Sequence, residues 1–535
     1  MTFEGAGAGA RPPARAAARM GVATAVSRGF GFARVLAIAA ILGTTYLGNT
    51  FQASNSVSNV LFELLAAGAL SAVLVPTFVA LLDAGNEPEA ERLAGGVLGL
   101  ALAGLGAVTV VGVIAAPWLA RLLASGVSDP AIAAQQESLA TFLLRCFIPQ
   151  VLLYAVGAVA IALLYARRRF AITAVAPIGN TIVMILALVV FRLLYGPGEP
   201  GLDLTLAEKL VLALGGTLGV VAFVAVPVAA LRRTGFRLRP HWPGRDPAVR
   251  RLLGLSAWAV FQHSAAGLLL GAAIVIGGAV EGGVVAYQTA FVFFLAPYAV
   301  LAQPVHTAIL PEISGEAGRG ELDAFNRSLR WSLDAMAVLV VPVSAALTAL
   351  ALPIMRVVAF GRATEGDGVT ILAAALAGLG PGLFAYGAFL LLARASYALG
   401  DSRTPALVAL TTAFVGVAMM LGAGAAAHGA ALVAWLGLGH SAAYFAGAAW
   451  LAVRLSRRTG HAVVAPALLR VVVLSVVLGA GAWGVVAVSG ITGRVASLLL
   501  LGVITVVGAV LYVGALRILG GGRVQLHPRS PHANA

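Results

Sequence analysis

Charge is scarce in this 535-residue chain. Asp, Glu, Lys and Arg together make up 10% of it, against roughly 25% in an ordinary soluble domain, and a soluble fold is thereby excluded. Cysteine is nearly absent: Cys146 stands alone, so no intrachain disulfide can form, and the eight histidines are scattered without the spacing of a structural metal site. Lysine is nearly absent as well, Lys209 being the only one, so the formal charge of +14 is carried by arginine. No P-loop, HExxH, GxSxG elbow or paired-Asp motif of a prenyl-phosphate transferase occurs. The chain is therefore expected not to be an enzyme, to hold no metal or cofactor, and to leave ATP hydrolysis to others. Any transport would draw on an ion gradient, the membrane potential or a bound partner.

Hydrophobic residues, by contrast, make up 60% of the chain and the mean hydropathy is +0.97. The apolar stretches run without polar alternation and are rich in Ala, Leu, Val and Gly, which points to helices; barrel strands would alternate over about ten residues. At about 20 apolar residues per crossing, the reading is an all-α polytopic membrane protein with about fourteen transmembrane helices. They are placed near residues 20–43, 50–82, 91–119, 138–165, 171–194, 205–231, 252–280, 283–310, 325–355, 369–399, 404–425, 428–453, 466–488 and 495–519.

The arginines lie mostly between these runs. The basic opening segment, with Arg11, Arg15 and Arg19, and the arginines at 28 and 34 inside the first run argue against a cleaved signal peptide. With that segment inside, the cytoplasmic connections hold Arg167 to Arg169, then Arg232, Arg233, Arg237, Arg239, Arg245, Arg250 and Arg251, then Arg319 and Arg327, Arg403, and Arg454, Arg457 and Arg458. The opposite connections hold few cations, chiefly Arg121, Lys209, Arg356, Arg362 and Arg494. This satisfies the positive-inside rule with both termini cytoplasmic in the plasma membrane. Lipid headgroups, rather than nucleic acid, are the expected anionic neighbours.

Pro149, Tyr154 and Tyr165 recur as Pro381, Tyr386 and Tyr397, each 232 residues on, in spans 4 and 10; Pro76 in VPTF is echoed by Pro311 in LPEI. Six spans separate the copies, so the repeat is parallel, a recurrent transporter design with substrate bound between two bundles near the midplane. The expected organisation is a cytoplasmic tail (1–19), an N-lobe of six helices (20–231), a basic linker (232–251), a C-lobe of six helices (252–453), two additional helices (454–519) and a second tail (520–535).

Charge at bilayer depth costs about 2.5 to 3.5 kcal/mol per residue on insertion scales, so each such group needs a partner or a wet cavity. Span 1 holds Arg28 and Arg34, separated by about 240° around the helix axis at 3.6 residues per turn. Span 2 carries Gln52, Asn55, Asn59 and Glu63 at intervals of three and four, one polar stripe that must face protein or water. Glu63 is read either as the partner of a span 1 arginine or as a proton or cation site. Arg145, Gln262, His263, Gln288, Gln303, His306 and Arg394 complete the inventory, with His306 read as an interhelical hydrogen-bonding residue.

The stretch SRGFGFARVLAIAAILGTTYLGNTFQASNSVSNVLFELLAAGALSAVLVPTFVALLD, residues 27 to 83, resembles the opening of the MurJ (MviN) family of lipid II flippases, in its actinobacterial form. So do residues 143 to 180, the APYAVLAQPVHTAILPEIS segment and SYALGDSRTPALVA. The resemblance implies a member of the multidrug/oligosaccharidyl-lipid/polysaccharide exporter superfamily whose two lobes enclose a cationic cavity. It implies alternating-access transfer of undecaprenyl-pyrophosphate-linked disaccharide-pentapeptide to the outer leaflet for peptidoglycan synthesis, with membrane lipids and cell-wall or divisome proteins as neighbours. The last two helices would offer the lipid tail a groove. The family's cavity arginines align with Arg28 and Arg34, and its span 2 asparagine with Asn59. Asn49 stands where relatives carry an acid, Phe62 beside Glu63 where they carry arginine, and Val292 and Leu295 near their span 8 Arg and Glu; Arg145 is the candidate replacement charge. The expected substrate-binding set is Arg28, Arg34, Asn59, Glu63 and Arg145. The rival readings are an exporter of another lipid-linked saccharide, a drug or cation antiporter, which would want an acidic cavity, and a cell-wall scaffold without transport.

Overall fold

The computed structural model describes residues 14–62, 74–196, 198–244, 246 and 265–518, with side chains from Thr24 onward. The described chain is helical, as hydrocarbon demands: each backbone N–H and C=O must be satisfied within its own segment. In order the helices are α1 (Ala14–Leu42), α2 (Tyr46–Phe62), α3 (Leu74–Asp83), α4 (Glu87–Ala124), α5 (Pro130–Phe147), α6 (Gln150–Ala166), α7 (Phe170–Tyr195), α8 (Leu206–Arg232), α9 (Ala265–Gly277) and α10 (Gly283–Pro297). A π-helical turn (Tyr298–Ala302) leads into α11 (Gln303–Gly318), followed by α12 (Leu322–Ala349), α13 (Ala351–Val358), α14 (Gly368–Leu379), α15 (Leu383–Ala398), α16 (Arg403–Gly424), α17 (Gly429–Thr459), α18 (Ala467–Ser489) and α19 (Arg494–Ile518).

Among the described residues, twelve helical stretches are long and apolar enough to cross a membrane, several of them built from two consecutive helices. The other two expected spans, 50–82 and 252–280, coincide with α2 plus α3 and with α9, and each runs partly through residues outside the described set. Expected span 4 is interrupted at Ile148–Pro149, between α5 and α6, and span 10 at the 3₁₀ turn Gly380–Gly382 around Pro381. Proline removes a backbone donor and clashes with the preceding turn, so the repeated prolines break the two copies at the same place.

Helices α1 to α8 form one lobe, with α7 packed on α1 and α8, and α4 on α5. Its core joins Leu93 and Leu98 of α4 to Val151, Val159 and Leu163 of α6; nearer α1, Ile38, Leu42, Phe51, Phe147 and Leu188 form a second cluster. The second lobe gathers α9 to α17 around Phe294, Met336, Leu376, Leu392 and Leu436. Lipid tails are as apolar as leucine, so helices associate in a membrane by close packing of small residues. The crossing of α14 and α17 shows this: a Cβ on Gly437 would stand 2.6 Å from the amide nitrogen of Leu379 and 2.7 Å from the carbonyl carbon of Gly378. Helices α18 and α19 lie outside both lobes and are mostly exposed, α18 packing on α12 and α19 on α13. They are tied on by Tyr512, whose hydroxyl donates to the Val338 carbonyl at 2.9 Å, by Arg494 Nε donating to Val357 O at 2.8 Å, and by Arg356 donating to Ile491 O.

The connections at residues 43–45, 125–129, 278–282, 361–367 and 425–428 gather at one end, which we term the far face; all five contribute to the lining of one pocket there. The opposite, arginine-rich face carries Arg167 to Arg169, Arg232, Arg233, Arg319, Arg454, Arg457 and Arg458. On it the segment after α8 lies across α4. The His241 amide donates to Gly95 O at 3.2 Å, the Arg237 amide to Glu91 Oε1 at 2.8 Å, and Arg92 pairs with Asp246. Phe236 enters the core of the first lobe beneath the Arg167 guanidinium, 5.4 Å from its ring centre. Arg319 donates to both carboxylate oxygens of Glu321, at 2.8 and 2.9 Å, and holds that carboxyl below its ordinary range; exposed pairs of this kind add little stability.

The α14–α17 crossing generates a stability prediction. Gly437→Val forces backbone apart, an overpacking cost of about 1–3 kcal/mol or more. The detergent-solubilised protein should melt at least about 2–4 °C lower, whereas Gly481→Val, at a site on α18 with open space around it, should melt as the parent does. Equal melting of all three would show that the crossing is not tight.

Candidate functional site: the seam between the lobes

The two lobes meet along α1 and α2 on one side and α10 to α11 on the other. At the far face the seam is backbone against backbone: Gly361 lies against the Ala40 carbonyl, Gly278 against the Leu123 carbonyl and Gly282 against Thr44. Gly282, at φ +75°, is the N-cap of α10 and has no side chain with which to cap it. The cap comes from the other lobe. Asn49 Oδ1 accepts from the amides of Val284 (3.0 Å) and Val285 (3.4 Å), and its Nδ2 donates to Val280 O at 2.7 Å. Asn49 is 1% exposed, so these bonds form away from water, where an unmet amide is costly. One and two turns further along α2, Gln52 Nε2 donates to Gln288 Oε1 (3.1 Å), and Gln288 Nε2 donates to Ser56 Oγ (2.8 Å).

Toward the arginine-rich face the seam thins. Phe32 meets Phe293 edge to face at 5.0 Å between ring centres, and Arg28 Nη2 donates to Gln303 Oε1 at 3.3 Å. Gln303 follows the π-helical turn at Tyr298–Ala302, bracketed by Pro297 and Pro304. Such turns bend a helix and re-aim its side chains.

The expected site residues are distributed as follows. Arg28 reaches the second lobe. Arg34 turns inward to the first: it is half-buried and its Nε is buried with no hydrogen-bond partner. The 240° between the two positions thus places one guanidinium toward each lobe. Tyr154 packs on Phe62 at 5.5 Å, and the second lobe repeats the pair 232 residues on, Phe294 on Tyr386 at 5.7 Å. Asn59 is half-buried on the face of α2 that carries Gln52 and Ser56. Arg145 is exposed on α5, on the face that carries Ser138 and Thr141, without an ion pair among the described residues. Glu63, Gln262 and His263 lie outside the described residues. His306 is fully buried, its Nδ1 3.4 Å from the Tyr298 hydroxyl on the same bent helix segment.

Neither Arg28 nor Arg34 has a carboxylate partner among the described residues, and no group of three metal-ligating side chains occurs among them. Sequence reasoning missed the roles of Asn49, Gln288 and Gln303. Their only signal was amide side chains in apolar runs, and their partners lie more than 200 residues away. On the far face, carboxylates collect instead: a pocket of about 990 Å³ includes Glu199, Glu281, Glu365 and Asp367, with Arg362 paired to Glu365 at 3.3 Å.

Residues 38–504 match the family model described as lipid II flippase MurJ. A probable lipid II flippase MurJ of Rhizobium tropici is 30% identical over 72% of this chain and 71% of its own length. The lipid II flippase MurJ of Burkholderia cenocepacia is 25% identical over 80% of this chain and 84% of its own. Among solved structures, a lipid II flippase MurJ in an inward closed conformation superposes with a TM-score of 0.73 at 18% identity, covering 94% of this chain and 99% of that one. An inward-facing multidrug resistance transporter of the MATE family and MOP superfamily superposes with a TM-score of 0.64 at 13% identity, covering 83% and 98%. These superpositions bear on the fold.

The borrowed cap predicts how firmly the far face stays shut. Asn49→Leu leaves two amides unmet, a loss of about 1 kcal/mol. In a Cys146→Ser background, a thiol reagent should label Ser56→Cys about fivefold faster when Asn49→Leu is present. Asn49→Asp keeps an acceptor for the two amides but turns its second oxygen on the Val280 carbonyl and buries a charge, so it too should speed labelling. Identical rates in all three would show that the cap does not hold the seam.

Proposed function

Because the chain belongs to the MurJ family of lipid II flippases, we propose that it carries lipid II, the undecaprenyl-pyrophosphate-linked disaccharide-pentapeptide, from the inner to the outer leaflet of the plasma membrane by alternating access. The observation that carries this reading is the pair Arg28 and Arg34, two guanidinium groups on the helix at the lobe junction with no carboxylate partner among the described residues. A charge left uncompensated at that depth is costly and is stabilised when an anion arrives. Pyrophosphate matches the forked donors of arginine. The prenyl chain can remain in lipid while the headgroup crosses. The described carboxylates gather at the far face, not beside Arg28 and Arg34, which disfavours a cation antiporter that would hold its cation at those two positions.

The arginine-rich face is cytoplasmic in this reading, so a seam dense at the far face and sparse at the arginine-rich face leaves the substrate path accessible from the side where lipid II is made. The lobes are residues 20–231 and 252–453, joined by the linker 232–251 and followed by the additional helices within 454–519. Between α12, α18 and α19 lies a mostly apolar cavity of about 250 Å³, bounded by Pro342, Leu478, Gly479, Ile504 and Tyr512, which would take part of the prenyl chain. Rocking of the lobes releases the headgroup outside. With no ATP site, the energy comes from the potential or an ion gradient, about 2.3 kcal/mol per elementary charge per 100 mV.

Arg28→Ala and Arg34→Ala should each fail to support a strain depleted of its own flippase, with outer-leaflet lipid II falling about tenfold or more, as expected when a charge-assisted contact is removed. Arg28→Lys, a point charge without the fork, should retain partial activity. Normal outer-leaflet lipid II in both alanine variants would overturn the reading, and normal levels with altered recruitment of septal proteins would favour a scaffold. Arg145→Ala separates a further expectation: if Arg145 contacts substrate, its loss lowers transfer; if transfer is untouched, it does not belong to the site.

A further inference from the structure

We propose that Arg394 is a substrate-binding residue, the second lobe's guanidinium, which with Arg28 grips a diphosphate held between the lobes. This rests on the diphosphate-lipid reading above and adds to it a residue on a helix that the family pattern does not mark.

Arg394 lies on α15, whose sequence LFAYGAFLLLARASYA is otherwise almost wholly apolar. It is half-buried, while Tyr397, three residues on, is exposed. An arginine that merely snorkelled to the nearby membrane surface would extend its head into the open; this one is turned toward the protein. No ion pair to it occurs among the described residues. It shares a face of α15 with Gly387, seven residues earlier, where an added Cβ would stand 3.6 Å from Cβ of Ala302 in the π-helical turn of the bent tenth-to-eleventh helix segment. Tyr298, at the start of that turn, meets Tyr386 of α15 edge to face at 4.9 Å between ring centres. Arg28 reaches the same segment from the opposite lobe, its Nη2 donating to Gln303, the residue after the turn.

Two guanidinium groups from different lobes therefore meet one bent helix segment, Arg394 half-buried and Arg28 exposed, and neither is paired with a carboxylate among the described residues. A dianion between them is attracted by both, and its two phosphoryl groups match two separate forks better than one phosphate could. Because the ligand would touch both lobes, its binding would draw the thin side of the seam together.

The test uses the full-length protein in lipid nanodiscs with farnesyl diphosphate and farnesyl monophosphate as probes. The parent should prefer the diphosphate. Arg394→Gln should weaken diphosphate binding about tenfold, leave monophosphate binding nearly unchanged and so erase the preference. Arg394→Lys should recover part of it. Melting temperature serves as the folding control, and Arg394→Met offers a second neutral variant should the glutamine variant fold poorly. If folded Arg394→Gln or Arg394→Met keeps the parent's preference while Arg28→Gln loses it, the role of Arg394 is overturned and the wider reading stands. If the parent shows no preference and Arg28→Gln changes nothing, both fall.

Discussion

A polar group inside hydrocarbon has to find its partner within the protein, and this chain places a continuous row of such groups where its two lobes touch. Helix formation satisfies the backbone; glycine and alanine let the helices approach closely. Beyond these two requirements stand the polar side chains: some pair within a lobe, as Gln150 does with Ser58 and Thr217 and His440 with Tyr287, and others, Asn49, Gln52, Ser56, Gln288, Gln303 and Arg28, pair across the seam.

The seam is uneven along its length. At the far face it combines backbone contacts at Gly278, Gly282 and Gly361 with the buried amide of Asn49. At the arginine-rich face, among the described residues, it holds an aromatic edge contact and a hydrogen bond from a cation. Buried hydrogen bonds are expensive to break without replacement, whereas a cation facing a neutral amide gains when an anion displaces that amide. The same unevenness that closes one side prepares the other for a negatively charged guest.

Much of this architecture is legible in the sequence because it follows from period and count. Apolar runs mark the crossings, arginine marks one face, and the 232-residue spacing of Pro149 and Pro381 marks the two breaks that the structure places at equivalent points. The aromatic pairs Phe62–Tyr154 and Phe294–Tyr386 obey the same spacing but are invisible to a search for unusual residues, since phenylalanine in an apolar run carries no signal. The site is less legible. Arg28 and Arg34 stand out as charges, and their angular separation anticipates that they face different ways. That Arg28 would meet Gln303, or that Asn49 would serve α10, depends on how two distant helices bend and dock, which no local pattern records. Glu63 and the count of fourteen crossings remain expectations, falling wholly or partly on residues outside the described set.

The cap that Asn49 lends to α10 has a consequence for solvent. While the lobes are joined, the amides of Val284 and Val285 are dry; once they part, those amides must be met by water, together with the glutamine and serine groups released beside them. The opened form is then the more hydrated one, and withdrawing water from the surroundings, as excluded osmolytes do, weighs against it. A carrier fastened in this way would slow its outward step under osmotic stress, when turgor and wall growth are changing together.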